Sequence, residues 1–260
     1  MIYIVLPIYN EARNIRPLIT QLRGLLAGRS YKIIAVNDGS RDESLSILQA
    51  MRAEDLHIES SLINMNVGAV FSRGIHYVLT DSRDDQDILI IMESDQTSEI
   101  QVINRLVDAV QSGGQDIVIA SRYQEQGGYR RFPLLRRLFS SSANRMMGYY
   151  FPISGARDYT IFFRAYRVAV LKMAQTYFGP FGLIQSKGFV ANAELLVKLS
   201  LFTDKIGEVP FVYDYGKKLG KSKIGILRTI NEYFVAVAYL KKLLRRVQAF
   251  RRAAEQAEHI

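Results

Sequence analysis

Two rhythms alternate along the first 120 residues. Short unbroken apolar runs occur at Ile2–Leu6, within Lys32–Val36 and Ser61–Ile63, at Ile88–Met92 and within Asp116–Ala120. Runs this short fit strands buried on both faces, as in a parallel sheet. Between them, apolar residues recur every three or four positions. Residues 12–27 carry Ile15, Leu18, Ile19, Leu22, Leu25 and Leu26, and residues 99–111 carry Ile100, Ile103, Leu106, Val107 and Val110. Ser40 or Asp42 can cap a helix reaching about Ala53, and Asn66-Val67-Gly68 opens another to about Leu79. Strand–helix alternation predicts an α/β architecture with a largely parallel sheet flanked by helices.

The rhythm changes after residue 120. An Arg-rich helix is expected over 133–150, a strand at Thr160–Phe163, a helix over 192–202 and a strand at Glu208–Tyr213. A long helix is expected from near Ile224. Its Leu240, Leu243, Leu244, Val247 and Phe250 form an apolar stripe, and Lys241, Lys242, Arg245 and Arg246 repeat on an adjoining face. That is the pattern of a basic amphipathic helix lying in a membrane interface. A helix packing its stripe on the domain, or on a second copy as a homodimer, has the same pattern. The chain therefore divides into a domain over 1–225 and a helix over 226–260.

Charge sharpens this division. The net charge of +9 is uneven: residues 217–252 hold 11 of the 34 Lys and Arg and one acid, Glu232. The remainder is close to neutral. Anionic lipid, phosphate-bearing substrates and nucleic acid are the partner classes that such basicity attracts. The tail lacks interleaved aromatics, so no nucleic-acid partner is expected. Cysteine is absent, which removes disulfides, thiolate metal sites and a cysteine nucleophile, and fits a reducing compartment. Met1 leads directly into an apolar strand without a basic stretch, which argues against a signal peptide. No apolar run reaches the length of a membrane span.

The most informative stretch is Ile88–Asp95. A buried strand runs straight into Glu93 and Asp95, where open α/β sheets bind their ligands. Two carboxylates one residue apart suit Mg2+ or Mn2+ on a diphosphate. Alone, the pair reads equally as a solvated acidic turn. His57, His76 and His259 are scattered and show no metal or triad spacing.

Other motifs accompany this pair in a fixed order: PIYNE (7–11), VNDGSRDES (36–44), NVG with RGI (66–75), ESD (93–95), ASRY (120–123), RDYT before FRAYR (157–167), AELL (193–196), and EVPF with GKSK (208–223). In this order and spacing the chain resembles glycosyltransferase family 2, whose fold is GT-A, and within it the polyprenol-phosphate hexosyltransferases. The resemblance implies a nucleotide-sugar donor, a polyprenyl-phosphate acceptor and inversion at the anomeric carbon. Pro7, Tyr9, Glu11, Asp38 and Asn66 would hold the nucleotide. Glu93 and Asp95, with help from Thr97, would hold the metal. Arg122, Arg136 and Ser140 would hold the acceptor phosphate, Lys217 and Lys223 would clamp phosphates, and Asp158 would support the site from below the sugar. It further implies a peripheral enzyme on the cytoplasmic face of an anionic membrane.

The chain departs from the family pattern at three places. Glu93 replaces an Asp at the metal, Asn37 replaces the first acid of the second motif, and Phe162 stands where relatives have Gly, which would narrow the sugar pocket. A phosphate monoester, with a second pKa of about 6, is already an anionic nucleophile and needs no protein base. If the acceptor is instead a hydroxyl, Glu194 is the candidate base; it can equally cap its own helix. A reading of another class is a catalytically degenerate membrane-bound scaffold.

Overall fold

A computed structural model of the protein describes residues 1–218 and 225–258, excluding the side chains of 226, 227 and 250–258. Lys223, the GKSK motif from residue 220 to 223 except in name, and the Phe250 side chain lie outside the described residues. The strands are β1 (Ile2–Ile8), β2 (Tyr31–Asp38), β3 (Leu56–Ser61), β4 (Ile88–Ile91), β5 (Ile117–Ser121), β6 (Gly128–Arg130), β7 (Arg164–Arg167), β8 (Ile206–Pro210) and β9 (Val212–Asp214). The helices are α1 (Ala12–Leu25), α2 (Ser44–Ala50), α3 (Val67–Asp81), α4 (Val102–Gln111), α5 (Leu134–Tyr150), α6 (Val168–Phe178), α7 (Ala191–Leu199) and α8 (Ile226–Glu258).

Seven strands form one sheet in the order β3-β2-β1-β4-β7-β5-β8, while β6 and β9 pair separately. The large sheet is parallel except for β7, which runs antiparallel between β4 and β5. Chain order reverses between β1 and β4, so the carboxyl ends of these two strands open the crevice where such sheets bind ligands. The apolar runs are unbroken because both faces are covered: Ile88, Leu89, Ile90 and Ile91 are all fully buried. Gly74 lets α3 lie directly on β1, since a Cβ there would strike the Val5 side chain.

Three expected elements shift, each for a local reason. The third strand is Leu56–Ser61, and Leu62 and Ile63 are exposed. Its partner β2 ends at Asp38, opposite Ser61, so the chain beyond has nothing to pair with. Thr160–Phe163 is not a strand; β7 begins at Arg164. The backbone N–H groups of Thr160 and Ile161 turn onto the Asp158 carboxylate instead. Phe162 and Phe163 are apolar because they pack in the core, on Phe71 and Phe189 and on Phe211 respectively. Glu208–Tyr213 divides at Phe211, whose N–H bonds the Ser121 carbonyl at 2.9 Å while the chain crosses from one sheet to the other.

The apolar stripe of α8 also turns inward. Tyr233, Ala236, Val237 and Leu240 belong to the main core, Val247 is buried, and Leu243 and Leu244 are half-buried against it. The helix packs against α5 and α7. Burying one Leu fully is worth about 1.5–3 kcal/mol, so this stripe ties the helix to the domain and is not the face offered to a membrane. Lys242, Arg245 and Arg246 remain exposed. Among the described residues, no helix is long and apolar enough to cross a membrane.

Candidate active site

The first strand-end loop is braced by the second. Ser40 Oγ accepts from the Asn10 N–H at 3.0 Å, Ser44 Oγ from Glu11 at 2.8 Å, and Asp42 Oδ2 from Ala12 at 3.1 Å. The Ser-x-Asp-x-Ser spacing in VNDGSRDES therefore holds the start of α1 and fixes the loop that carries Tyr9 and Glu11. Pro7 offers its carbonyl to Ser94 Oγ at 2.9 Å, joining the ends of β1 and β4. Buried Asp38 accepts the N–H groups of Met65 at 2.6 Å and Asn66 at 3.1 Å. Asn66 has φ of 74°, a left-handed conformation that Asn tolerates, and starts α3. Gly68 follows because the Ser186 carbonyl occupies the space of a Cβ, and its N–H bonds the Lys187 carbonyl at 2.9 Å. Asn37, in place of an acid, is buried and donates to Ser60 Oγ at 2.9 Å.

Glu93 and Asp95 lie on the turn after β4. Gln96, with φ of 65°, tightens the turn and donates to the Asn14 carbonyl at 3.2 Å. Ser98 Oγ donates to Glu93 at 2.8 Å. Burial first, and the charge of Asp95 second, raise the Glu93 pKa above its ordinary value. Asp95 Oδ1 accepts from the Thr97 hydroxyl, so Thr97 orients the carboxylate. Asp95 Oδ2 is paired with the ammonium of Lys218. Tyr213 stands beside the pair, its hydroxyl pKa raised by burial and then by Asp95 and Glu93. Among the described residues no group of three His, Cys, Asp or Glu forms a ready-made metal cage. Two hard carboxylates at the open end of a strand nonetheless fit a cation that takes its other ligands from phosphate or water, and Asp95 already holds a cationic group.

On the other side of β4, Arg122 leaves the end of β5. Its Nε and Nη2 each donate to Asp158 at 2.7 Å, a bidentate pair in which Asp158 is fully buried. Burial opposes both charges, but their mutual attraction prevails: the Arg122 pKa is raised and the Asp158 pKa lowered. Nη2 also donates to Thr160 Oγ1 at 2.6 Å. Thr160 joins Ser140 Oγ at 3.1 Å and Asn144 Nδ2 at 3.2 Å, both from α5. The Tyr129 ring lies 5.1 Å from the guanidinium. The result is a fixed cation with hydroxyls around it and Nη1 uncommitted among the described residues, an arrangement suited to an anion.

The structure thus brings Pro7, Tyr9, Glu11, Asp38, Asn66, Glu93, Asp95, Thr97, Arg122, Ser140 and Asp158 to one edge of the sheet. Arg136 is a turn from Ser140 but donates to Tyr215 OH at 3.2 Å. Lys217 is exposed at the end of a 3-10 turn, Tyr215–Lys217; its neighbour Lys218 makes the Asp95 contact. Glu194 is not placed as a base. It is fully buried, paired with Lys198, and accepts the N–H groups of Gln185 at 3.0 Å and Ser186 at 2.7 Å. It does not cap its own helix either; it pins the loop before α7. Sequence reasoning missed Lys218, Tyr213, Tyr129 and Asn144. The family pattern singles out Lys217, which stands where relatives usually have Arg, and so passes over its neighbour; the other three lie outside any motif.

Comparison with known proteins bears on the family and the fold. Polyprenol monophosphomannose synthase of Mycolicibacterium smegmatis is 27% identical over 224 residues, covering 85% of this chain and 80% of its own length. Dolichol-phosphate mannosyltransferase of Pyrococcus furiosus is 26% identical over 241 residues, 92% of this chain but 63% of its own, so the chain spans less than two thirds of that relative. Glucosyl-3-phosphoglycerate synthase from Mycobacterium tuberculosis, solved with Mn2+, UDP and glucosyl-3-phosphoglycerate, superposes with a TM-score of 0.64 at 18% identity, over 92% of this chain and 78% of that one. At that identity the likeness speaks for the fold, which is GT-A. The profile of glycosyl transferase family 2 matches residues 3–174, and the chain belongs to that family.

Proposed function

We propose that this glycosyltransferase moves a hexose from a nucleoside-diphosphate sugar to a polyprenyl phosphate, with inversion at the anomeric carbon. The observation that carries the reading is that Glu194, the candidate base for a hydroxyl acceptor, is buried and paired with Lys198, while Asp158 is likewise paired with Arg122. A hydroxyl nucleophile needs a base within hydrogen-bond reach. A phosphate, already anionic near neutrality, needs a positioned cation instead. The two named relatives in mannose transfer make mannose the first sugar to test.

In this reading Pro7, Tyr9, Glu11, Asp38 and Asn66 hold the nucleoside at the ends of β1 and β2. Glu93 and Asp95 would hold Mg2+ or Mn2+, and the Thr97 hydroxyl fixes the orientation of the Asp95 carboxylate. Bound there, the cation would neutralise charge gathering on the departing diphosphate. Lys218 leaves Asp95 and becomes available, with Lys217, to the same phosphates. Arg122 and Ser140 hold the acceptor phosphate on the far side of the sugar, with Arg136 at the edge. A phosphate oxygen attacks the anomeric carbon as its bond to the diphosphate breaks, and the nucleoside diphosphate leaves. Asp158 and Asn144 act only by positioning. Peripheral attachment to the cytoplasmic face of a membrane would bring the site to its lipid.

The test is incubation with Mn2+, a panel of GDP- and UDP-sugars, and either a short polyprenyl phosphate or a free saccharide. Lipid-linked sugar formed only with the phosphate is the expected product. Sugar transfer to the saccharide with none to the lipid would overturn the reading.

A further inference from the structure

Arg164 is fully buried, yet among the described residues it has no carboxylate of its own. It opens β7, opposite Ile91 at the end of β4 and Ile119 on β5, between the strand that leads to Glu93 and Asp95 and the strand that leads to Arg122. Its Nη1 donates to the Asn192 carbonyl at 2.8 Å and its Nη2 to the Asp158 carbonyl at 3.0 Å, while its Nε has no partner among the described residues. Taking a cation out of water is costly unless an anion compensates it. Lys198, the other cation among the described residues with no exposed surface, has Glu194. Arg164 has only a share of Asp158. Burial alone would raise the Asp158 pKa; Arg122, and after it Arg164, lower it. That carboxylate is already forked onto Arg122, with both oxygens at 2.7 Å. Glu208, partly exposed behind the turn, commits its carboxylate to the N–H groups of Arg157 and Asp158. Two buried guanidinium groups therefore share one buried carboxylate, and one positive charge is in excess behind the Arg122 pocket.

We propose that Arg164 is a positioning residue for the acceptor: acting through Asp158 and Arg122, it gives their pocket an excess positive charge that favours a phosphate monoester over a phosphodiester. A monoester, with a second pKa of about 6, carries two negative charges near neutrality; a diester carries one. Transfer of a hexose to a phosphate oxygen turns the first into the second. The pocket then holds the acceptor better than the product, and product release is favoured. Arg122 alone, neutralised by Asp158, makes no such distinction. Arg164 also ties the Asp158 turn to the start of α7, where Asn192 Nδ2 donates to the Ile161 carbonyl, so charge and scaffold have to be separated by experiment. This role for Arg164 rests on Arg122 being the acceptor-phosphate cation. Its test uses neither sugar nor prenyl chain, so the lipid specificity of the enzyme and the charge selectivity of the pocket can fail separately.

The experiment is calorimetric titration of the full chain, without metal or nucleotide, with methyl phosphate and with dimethyl phosphate at about pH 8, where the monoester is a dianion. The parent is expected to bind the monoester about tenfold or more tightly than the diester, the order of effect of a unit charge acting over roughly 10 Å at an effective dielectric constant of about 20. Arg122→Gln should abolish monoester binding, which locates the probe. Arg164→Lys keeps the charge without the fork and should hold the preference within about threefold of the parent. Arg164→Met and Arg164→Gln are neutral and should bind the two probes with nearly equal affinity; Gln can still donate to a carbonyl, so it supplies the neutral protein if thermal melting shows the Met variant unfolded. Four results would each overturn the proposal: no preference in the parent, monoester binding unchanged in Arg122→Gln, the preference retained by a folded neutral variant, or the preference lost in folded Arg164→Lys. The last would make Arg164 a scaffold whose geometry, and not its charge, shapes the pocket.

Discussion

Replacing Lys198 with Met separates a structural Glu194 from a catalytic one. The pair is fully buried, and Lys198 Nζ also donates to the Gly182 carbonyl at 2.7 Å. Its charge lies 5.3 Å and 5.2 Å from the ring centres of Phe178 and Tyr239. Lys198→Met fits the space but leaves a carboxylate in the interior without its cation, which costs about 3–5 kcal/mol. At roughly 2–4 °C per kcal/mol for a domain of this size, the thermal midpoint should fall by about 6–20 °C. Glu194→Gln should cost less, and K198M/E194Q should recover part of the loss, giving a coupling that a double-mutant cycle measures. Calorimetry reads the midpoints; transfer to polyprenyl phosphate, assayed well below them, should stay within a few-fold of the parent for Glu194→Gln. Loss of a general base costs about 10²–10⁴ in rate. A Glu194→Gln protein with an unchanged midpoint and such a rate loss would refute the structural assignment.

Three further outcomes are expected. Because the Asp158 pKa is lowered from 3.8, its contribution is complete above that value and is lost as pH falls through the folded pKa; urea titrations should find Asp158→Asn less stable by about 3–5 kcal/mol at neutrality, with the gap to the parent closing only below pH 3.8 and not before. Phe162→Ala should destabilise by about 3–5 kcal/mol in the same assay, since the ring stacks on Phe189 at 5.5 Å between centroids and meets Phe71 edge-on at 4.9 Å; a neutral effect would return Phe162 to the sugar pocket. Lys218→Met should tighten Mn2+ binding by the donor-free protein, measured by the spin resonance of free Mn2+, because Lys218 occupies Asp95; weaker binding would make Lys218 a support of the site and not a competitor.

The strands and helices legible in the sequence are those whose local pattern and final burial coincide. β1, β2, β4 and β5 read directly because unbroken apolar runs and two covered faces are the same fact. Glu93 and Asp95 were legible because a strand end determines where they project. Thr160–Phe163 misled because core burial, not pairing, made those residues apolar. α6 was missed: Val168–Phe178 mixes its apolar residues around the helix, and four of them are buried. Glu194 was ambiguous because a buried ion pair at i, i+4 resembles a surface pair until tertiary packing closes over it. The inward turn of α8 was illegible for a related reason: an amphipathic stripe records that something apolar covers it, and only the fold says what.

The two halves of the site are built by different means. On the proposed donor side, Pro7, Tyr9, Glu11, Asp38, Glu93 and Asp95 lie at or just past the ends of β1, β2 and β4, so placing those strands places them; Lys217 and Lys218, which follow β9, are the exception. On the acceptor side, Arg122, Ser140, Asp158 and Thr160 are spread over one excursion between β5 and the antiparallel β7. That excursion is closed by side-chain bonds: Arg122 to Asp158 and Thr160, Thr160 to Ser140 and Asn144, and Asn144 Oδ1 to the Tyr159 N–H at 2.7 Å. Asp158 is itself held from behind, its N–H on Glu208 at 2.8 Å. Substitutions inside the excursion can therefore alter what is accepted while the strand ends that hold the donor keep their positions. The same excursion supplies α5, whose inner polar groups reach the pocket while its outer Leu and Tyr side chains face away. In the proposed reading, the residues that hold the acceptor phosphate thus lie on one contiguous segment of the chain.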